Sequence, residues 1–265
     1  MTGKGAVVTG AGSGLGRAAS VALAREGAAV LLVDIDAAGL QETSELIQEA
    51  GGRAIVFVAD VSDPSLVRDY VNRARQEFGT IDAFFNNAGI MGPQASLVDY
   101  PEDSFDKVMA INVRGVFLGL KYVLPVMMEQ GFGAVVNTGS MASTGALPGS
   151  TAYAAAKHAV IGLTKTAAVE TAATGVRVNA ILPGNIKTNM ALAGAPGETV
   201  GEKEAILGAT VPQGRAGLPE EIAEAVLFLV SIGAKHITGI QLPVDGGITA
   251  QVYPSASTSH AASLT

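Results

Sequence analysis

Apolar runs short enough to be strands recur along the chain at 5–9, 29–33, 54–58, 81–85, a run closing at Val135, Val136 and Asn137, 175–182 and 239–244. Between them lie stretches that read as helices: 17–26, 38–50, 65–78, 106–130, 152–169 and one starting near Pro219. Buried strands alternating with helices at this period predict a parallel sheet covered on both faces, joined by right-handed crossovers. In open α/β sheets of that kind, ligands bind beyond the carboxyl ends of the strands. Gly10, Asp34, Asp60, Asn87, Ser140 and Pro183 all stand at those ends.

The first strand runs straight into Gly10, Ala11, Gly12, Ser13, Gly14, Leu15 and Gly16, and a helix follows. Glycines let the backbone approach a pyrophosphate closely, and the helix N-terminus adds free N–H groups and partial positive charge. The spacing is Thr-Gly-x-x-x-Gly-x-Gly; the more widespread Gly-x-Gly-x-x-Gly fails because position 15 is Leu. Asp34 ends the next strand, close to where a dinucleotide fold places an acid on the adenosine ribose. A carboxylate there accepts from ribose hydroxyls and repels a 2′-phosphate. Neither Ser13 nor Ile35 offers a cation to hold that phosphate, so NAD is favoured over NADP. The alternative is that Asp34 caps a helix beginning around Asp36. Asp60 could likewise meet the adenine or cap the helix after Pro64. Asn86, Asn87, Ala88 and Gly89 suit close approach to a flat ligand, or form an ordinary turn.

Ser140, Tyr153 and Lys157 carry the chemistry. Tyr153 and Lys157 stand at i and i+4 of one helix, on one face. Ser140 comes off the preceding strand, so the crossing from strand to helix brings its hydroxyl beside them. A free tyrosine has a pKa of about 10; a nearby lysine cation favours the phenolate and moves it toward a general acid/base. A serine hydroxyl can hold a substrate oxygen in line. Asn112 lies on an otherwise apolar helical stretch, where it either makes core hydrogen bonds or anchors a water near the lysine.

At 265 residues, 48% hydrophobic and 15% charged, the chain suits one compact α/β domain over 1–253. Residues 191–217 break the rhythm and read as a lid or binding loop at the ligand edge. The tail, 254–265, lacks a periodic pattern. With no cysteine and three scattered histidines, a metal centre is not expected. A net charge of −7 without a basic stripe argues against nucleic acid. No uninterrupted apolar run of membrane-spanning length and no basic-then-apolar leader are found, so a soluble cytoplasmic protein is expected.

Taken together, Thr9 to Gly16, Asp60, Asn86 to Gly89, Asn112, Ser140, Tyr153, Lys157, Pro183 and Gly184 resemble the short-chain dehydrogenase/reductase family in order and spacing, over residues 4 to about 250. The resemblance implies a doubly wound Rossmann fold with a seven-stranded parallel sheet, a nicotinamide cofactor and a tetrad of Asn112, Ser140, Tyr153 and Lys157. Tyr153 would exchange the proton with the substrate oxygen, Ser140 would position that oxygen, Lys157 would bind the nicotinamide ribose, and Asn112 would hold a water. The implied cofactor contacts are Gly10, Ser13, Gly14, Leu15, Gly16, Asp34, Ile35, Asp60, Val61, Asn87, Ala88, Gly89, Tyr153, Lys157, Pro183, Gly184, Ile186 and Thr188. The implied substrate pocket is Ile90, Met91, Met141, Ala142, Ser143, Leu147, Asn185, Met190 and Leu192, mostly apolar. That composition suggests a mainly hydrophobic secondary alcohol or ketone as substrate. A homotetramer packed through its long helices is also implied. The rival readings are an NADP-dependent carbonyl or 3-oxoacyl reductase of the same family, and a non-catalytic dinucleotide sensor.

Overall fold

The computed structural model describes residues 1–194, 197 and 199–251. In chain order the main elements are β1 (Gly5–Thr9), α1 (Gly14–Arg25), β2 (Ala29–Asp34), α2 (Ala37–Glu49), β3 (Arg53–Val58), α3 (Pro64–Phe78) and β4 (Ala83–Asn86). They continue with α4 (Glu102–Met109), α5 (Gly115–Gln130), β5 (Gly133–Thr138), α6 (Thr151–Thr171), β6 (Val176–Pro183), α7 (Asn189–Gly194), α8 (Val200–Ala209), α9 (Pro219–Val230) and β7 (Gln241–Val244). The expected seven-stranded parallel sheet is present, in the order β3-β2-β1-β4-β5-β6-β7. Its order reverses between β1 and β4, where a doubly wound sheet opens its binding crevice.

Strand alternation divides the core into two layers. Ala6 and Val8 pack on one face with Leu23 of α1 and with Ile222 and Val226 of α9. Val7, Leu31 and Val33 pack on the other with Tyr70 of α3, Val116 and Met127 of α5 and Val160 of α6. Each fully buried Val or Leu contributes about 1.5–3 kcal/mol, so the central strands are fixed by burial on both sides.

Side chains mark where helices start, and two of them set aside the capping alternatives for Asp34 and Asp60. Asp36, not Asp34, caps α2 by accepting from the backbone N–H of Ala38 and Gly39. Asp63, not Asp60, caps α3 by accepting from Ser65 and Leu66. A cap must stand immediately before the first turn, and Asp34 and Asp60 stand too far back. Asp34 instead accepts from Gly12 N at 2.9 Å and Asp36 N at 3.1 Å. Asp60 accepts from the backbone N–H and hydroxyl of Ser62.

The expected helix 106–130 begins earlier, at Glu102, and runs to Gln130 through a π-helical turn, Ala110–Arg114, that contains Asn112. By length and composition Glu102–Gln130 could cross a membrane. Here Val116, Leu120, Val123 and Met127 are buried in the layer against the sheet. Gly119 lets α5 lie this close, since a Cβ there would meet Phe84 Cζ at 2.9 Å. The stretch 191–217, expected as a loop, holds the end of α7 and all of α8. Thr199 starts α8 by accepting from Glu202 N while the Glu202 carboxylate accepts from Thr199 N. The tail expectation for 254–265 lies outside the described residues.

Candidate active site

A cleft of about 1170 Å³ opens at the carboxyl ends of the strands, over the point where the sheet order reverses. One end is built by the loop between β1 and α1. Gly10, Ser13, Gly14 and Leu15 line it. The Ser13 side chain makes no capping bond, and α1 has no acidic residue in its first turn. Uncapped amides with an unopposed helix dipole suit a pyrophosphate. Gly16 does not reach the cleft; it lets α1 press onto the loop, because a Cβ there would collide with the Gly10 carbonyl.

Asp34, Ile35, Asp60 and Val61 form the adjoining wall, and Ile35 is 70% exposed. Arg17 touches the glycine loop at the Gly12 carbonyl, yet its guanidinium is committed to Thr43 and Glu42. Asn87 donates to the Thr9 carbonyl and its side-chain oxygen accepts from Thr138, which ties β1, β4 and β5 together at their carboxyl ends. Asn87, Ala88, Gly89, Pro183, Gly184, Ile186 and Thr188 line the middle of the cleft. Residues that fit a dinucleotide therefore run from the glycine loop to the far strands.

At the other end stand Ser140, Tyr153 and Lys157. Ser140 follows β5, accepts from Ala142 N at 3.1 Å, and its backbone N–H donates to Ser143 Oγ. Ser143 in turn donates to the Lys157 carbonyl at 2.9 Å, joining the Ser140 turn to α6. Lys157 is 3% exposed; its ammonium donates to the Thr138 carbonyl at 2.8 Å and lies 5.4 Å from the centre of the Tyr153 ring. Burial pushes the Lys157 ammonium down to about 8, so it remains a cation at neutral pH.

Tyr153 keeps some accessible surface because it faces the cleft, but it stands deep among protein atoms. Desolvation raises its pKa, and the Ser140 hydroxyl acts in the opposite sense. The one-turn spacing led to the expectation of a phenol lowered by Lys157. The structure reverses that direction, because burial among protein atoms outweighs the Ser140 hydroxyl.

Asn112 sits behind this end of the site. Its side-chain oxygen accepts from Ile90 N and its amide donates to Ile90 O, both at 2.8 Å. The core hydrogen-bonding alternative therefore describes these two bonds, which pin Gly89 and Ile90 beside Lys157.

Of the expected pocket residues, Ile90, Met91, Met141, Leu147, Asn185 and Met190 line the cleft. Ala142 and Ser143 are buried behind Ser140, and Leu192 is not part of the wall. Ala193, Ile206 and Leu207 close the cleft from α7 and α8 instead. For Ile206 and Leu207 the signal was present as the Thr199-x-x-Glu202 capping pattern that starts α8. Gln94, Lys107 and Ser150 also line the cleft and carry no motif.

A family model described as enoyl-(acyl carrier protein) reductase matches residues 10–249. Levodione reductase of Leifsonia aquatica is 44% identical over 92% of this chain and 93% of its own length. A crystal structure of levodione reductase superposes with a TM-score of 0.92 at 43% identity, covering 96% of this chain and all of that one. Cyclohexanol dehydrogenase of Acinetobacter sp. (strain SE19) is 37% identical over 93% of this chain and 95% of its own. A xylitol dehydrogenase solved with NAD+ bound has a TM-score of 0.84 at 36% identity, covering 93% of this chain and 99% of that one.

Proposed function

The chain belongs to the short-chain dehydrogenase/reductase family, and we propose that it is an NAD-dependent oxidoreductase of mainly hydrophobic secondary alcohols and their ketones. The observation that carries this reading is a single cleft with the Asp34 carboxylate at one end and Ser140, Tyr153 and Lys157 at the other. The space beside Tyr153 is walled by Ile90, Met91, Leu147, Met190, Ile206 and Leu207, which favours an apolar, ring-sized substrate. The relatives named for a cyclohexanol and for levodione support the same class.

In this mechanism a bound nicotinamide would supply the hydride acceptor or donor at the substrate carbon. As the phenolate, Tyr153 takes the alcohol proton in oxidation; as the phenol, it gives that proton to the carbonyl oxygen in reduction. Ser140 holds the substrate oxygen against that phenol, and its hydroxyl eases ionisation of Tyr153. Lys157 keeps a positive charge beneath the ring. Asn112 positions the segment after β4, Gly89 and Ile90, that lies beside Lys157.

The Asp34 carboxylate would accept from ribose hydroxyls and repel a 2′-phosphate, with Arg17 already engaged by Glu42. Placing like charges together costs several kcal/mol, so kcat/KM with NAD should exceed that with NADP by roughly a hundredfold. Asp34→Ser should shrink that ratio by at least about tenfold. Steady-state kinetics with both cofactors over cyclic secondary alcohols, sugars and acyl thioesters checks this. Preference for NADP, or far better use of sugars or thioesters, would contradict it. The same proposal includes a homotetramer, supported by the exposed Phe117 on α5 and by Val169 on α6, which is 80% exposed.

A further inference from the structure

We infer that Ser150 forms a second polar subsite of the cleft, taking a hydroxyl or carbonyl oxygen that the substrate carries away from its reacting carbon; this rests on the function proposed above. Ser150 stands immediately before α6, where a serine ordinarily accepts from the backbone N–H groups of the first turn. Here it does not. Its backbone adopts φ −127° and ψ 49°, and the side chain makes no capping bond. Among the described residues its hydroxyl has no hydrogen-bond partner.

The residue is only 2% exposed, and it lines the cleft. Among the described residues the buried polar side-chain atoms left without a partner are the Tyr70 and Tyr100 hydroxyls and not that of Ser150, so its oxygen is reached from the cleft and, spared from capping, is available to whatever fills it. The turn carrying it is rigid. Ser150 N donates to Leu147 O at 3.1 Å, its carbonyl accepts from Ala154 N at 2.9 Å, and the Gly149 carbonyl accepts from Ala95 N at 3.0 Å. Gly149 holds a positive φ of 80°, which fixes the direction in which the chain enters α6.

Its neighbours sharpen the chemistry. Leu147, Pro148 and Met91 make this corner of the cleft apolar, and Tyr153 follows three residues later on the same helix end. A neutral hydroxyl can donate to a carbonyl or exchange hydrogen bonds with an alcohol. The preferred substrates therefore carry a second oxygen on an otherwise hydrophobic ring. Gln94 and Lys107 also line the cleft but are exposed, unlike Ser150.

The test compares cyclohexanol with the best-used of the cyclohexanediols, following NADH formation by the unmodified chain, Ser150→Ala and Ser150→Thr. The quantity read is the ratio of kcat/KM for diol to that for mono-alcohol within each protein, so loss of folded enzyme cancels. The unmodified chain should favour the diol. The ratio should fall roughly three- to tenfold in Ser150→Ala, the worth of one neutral hydrogen bond, and be retained in Ser150→Thr, which keeps the hydroxyl. An unmodified chain preferring the mono-alcohol, a ratio unchanged in Ser150→Ala, or a threonine variant behaving like alanine would overturn the subsite. Failure of the unmodified chain to oxidise either alcohol would instead remove the function on which it rests.

Discussion

Tyr153→Phe is expected to lower kcat by about a thousandfold in both directions, because a positioned general acid/base contributes roughly 10²–10⁴. The variant removes only the oxygen. The ring stays above the Lys157 ammonium, 5.4 Å from its centre, and the glycine loop and Asp34 are untouched. Cofactor affinity, measured by titrating the nicotinamide's fluorescence, should therefore change by no more than a few-fold. A loss of kcat below tenfold would mean that another group moves the proton. An unaltered biological role in cells carrying this variant would favour a non-catalytic sensor.

Lys157→Met should remove activity and yet stabilise the fold. The ammonium is buried, and its pKa is pushed down to about 8 from the usual 10.5. One pKa unit corresponds to about 1.4 kcal/mol, so holding the charge costs on the order of 3 kcal/mol at neutral pH. The hydrogen bond to the Thr138 carbonyl returns part of that. A methionine of similar length should leave a net gain on the order of 1–2 kcal/mol. The sign with pH follows from linkage. With the folded pKa below the unfolded one, the unfolded chain binds more protons between pH 8 and 10.5, so the unmodified protein gains stability as pH rises through that window. The methionine variant lacks this gain. Denaturant melts at several pH values should show its advantage greatest near pH 7 and shrinking toward pH 10. A variant less stable at pH 7 would show that Lys157 supports the fold, and the trade of stability for function would not apply here.

The sheet and the ends of its strands could be read from the amino-acid order, because burial on both faces demands continuous apolar runs. Gly10, Asp34, Asn87, Ser140 and Pro183 fall where that alternation places them. Other features depend on contacts that the order of residues does not display. The π-helical turn at Asn112 has no composition of its own, and the pairing of Asn112 with Ile90 spans 22 positions. The direction of the Tyr153 shift depends on its depth among protein atoms, which a one-turn spacing does not show. Helix α8 was legible through Thr199 and Glu202, but the alanine- and glycine-rich surroundings obscured it. Ser143 stood next to the right residue and faces away, toward the Lys157 carbonyl. Ser150 is the reverse case: a residue type and position that indicate a cap, with a hydroxyl that does not make one.

The most direct measurement is isotopic. The protein would be incubated with NAD and a cyclic secondary alcohol deuterated at the carbinol carbon, and the reduced nicotinamide analysed by mass spectrometry and NMR. Deuterium delivered to one face of nicotinamide C4, with ketone formed in equal amount and neither product seen with Tyr153→Phe, is the predicted result. Reduced cofactor free of deuterium, or no ketone at all, would contradict hydride exchange between a secondary alcohol and NAD in this cleft.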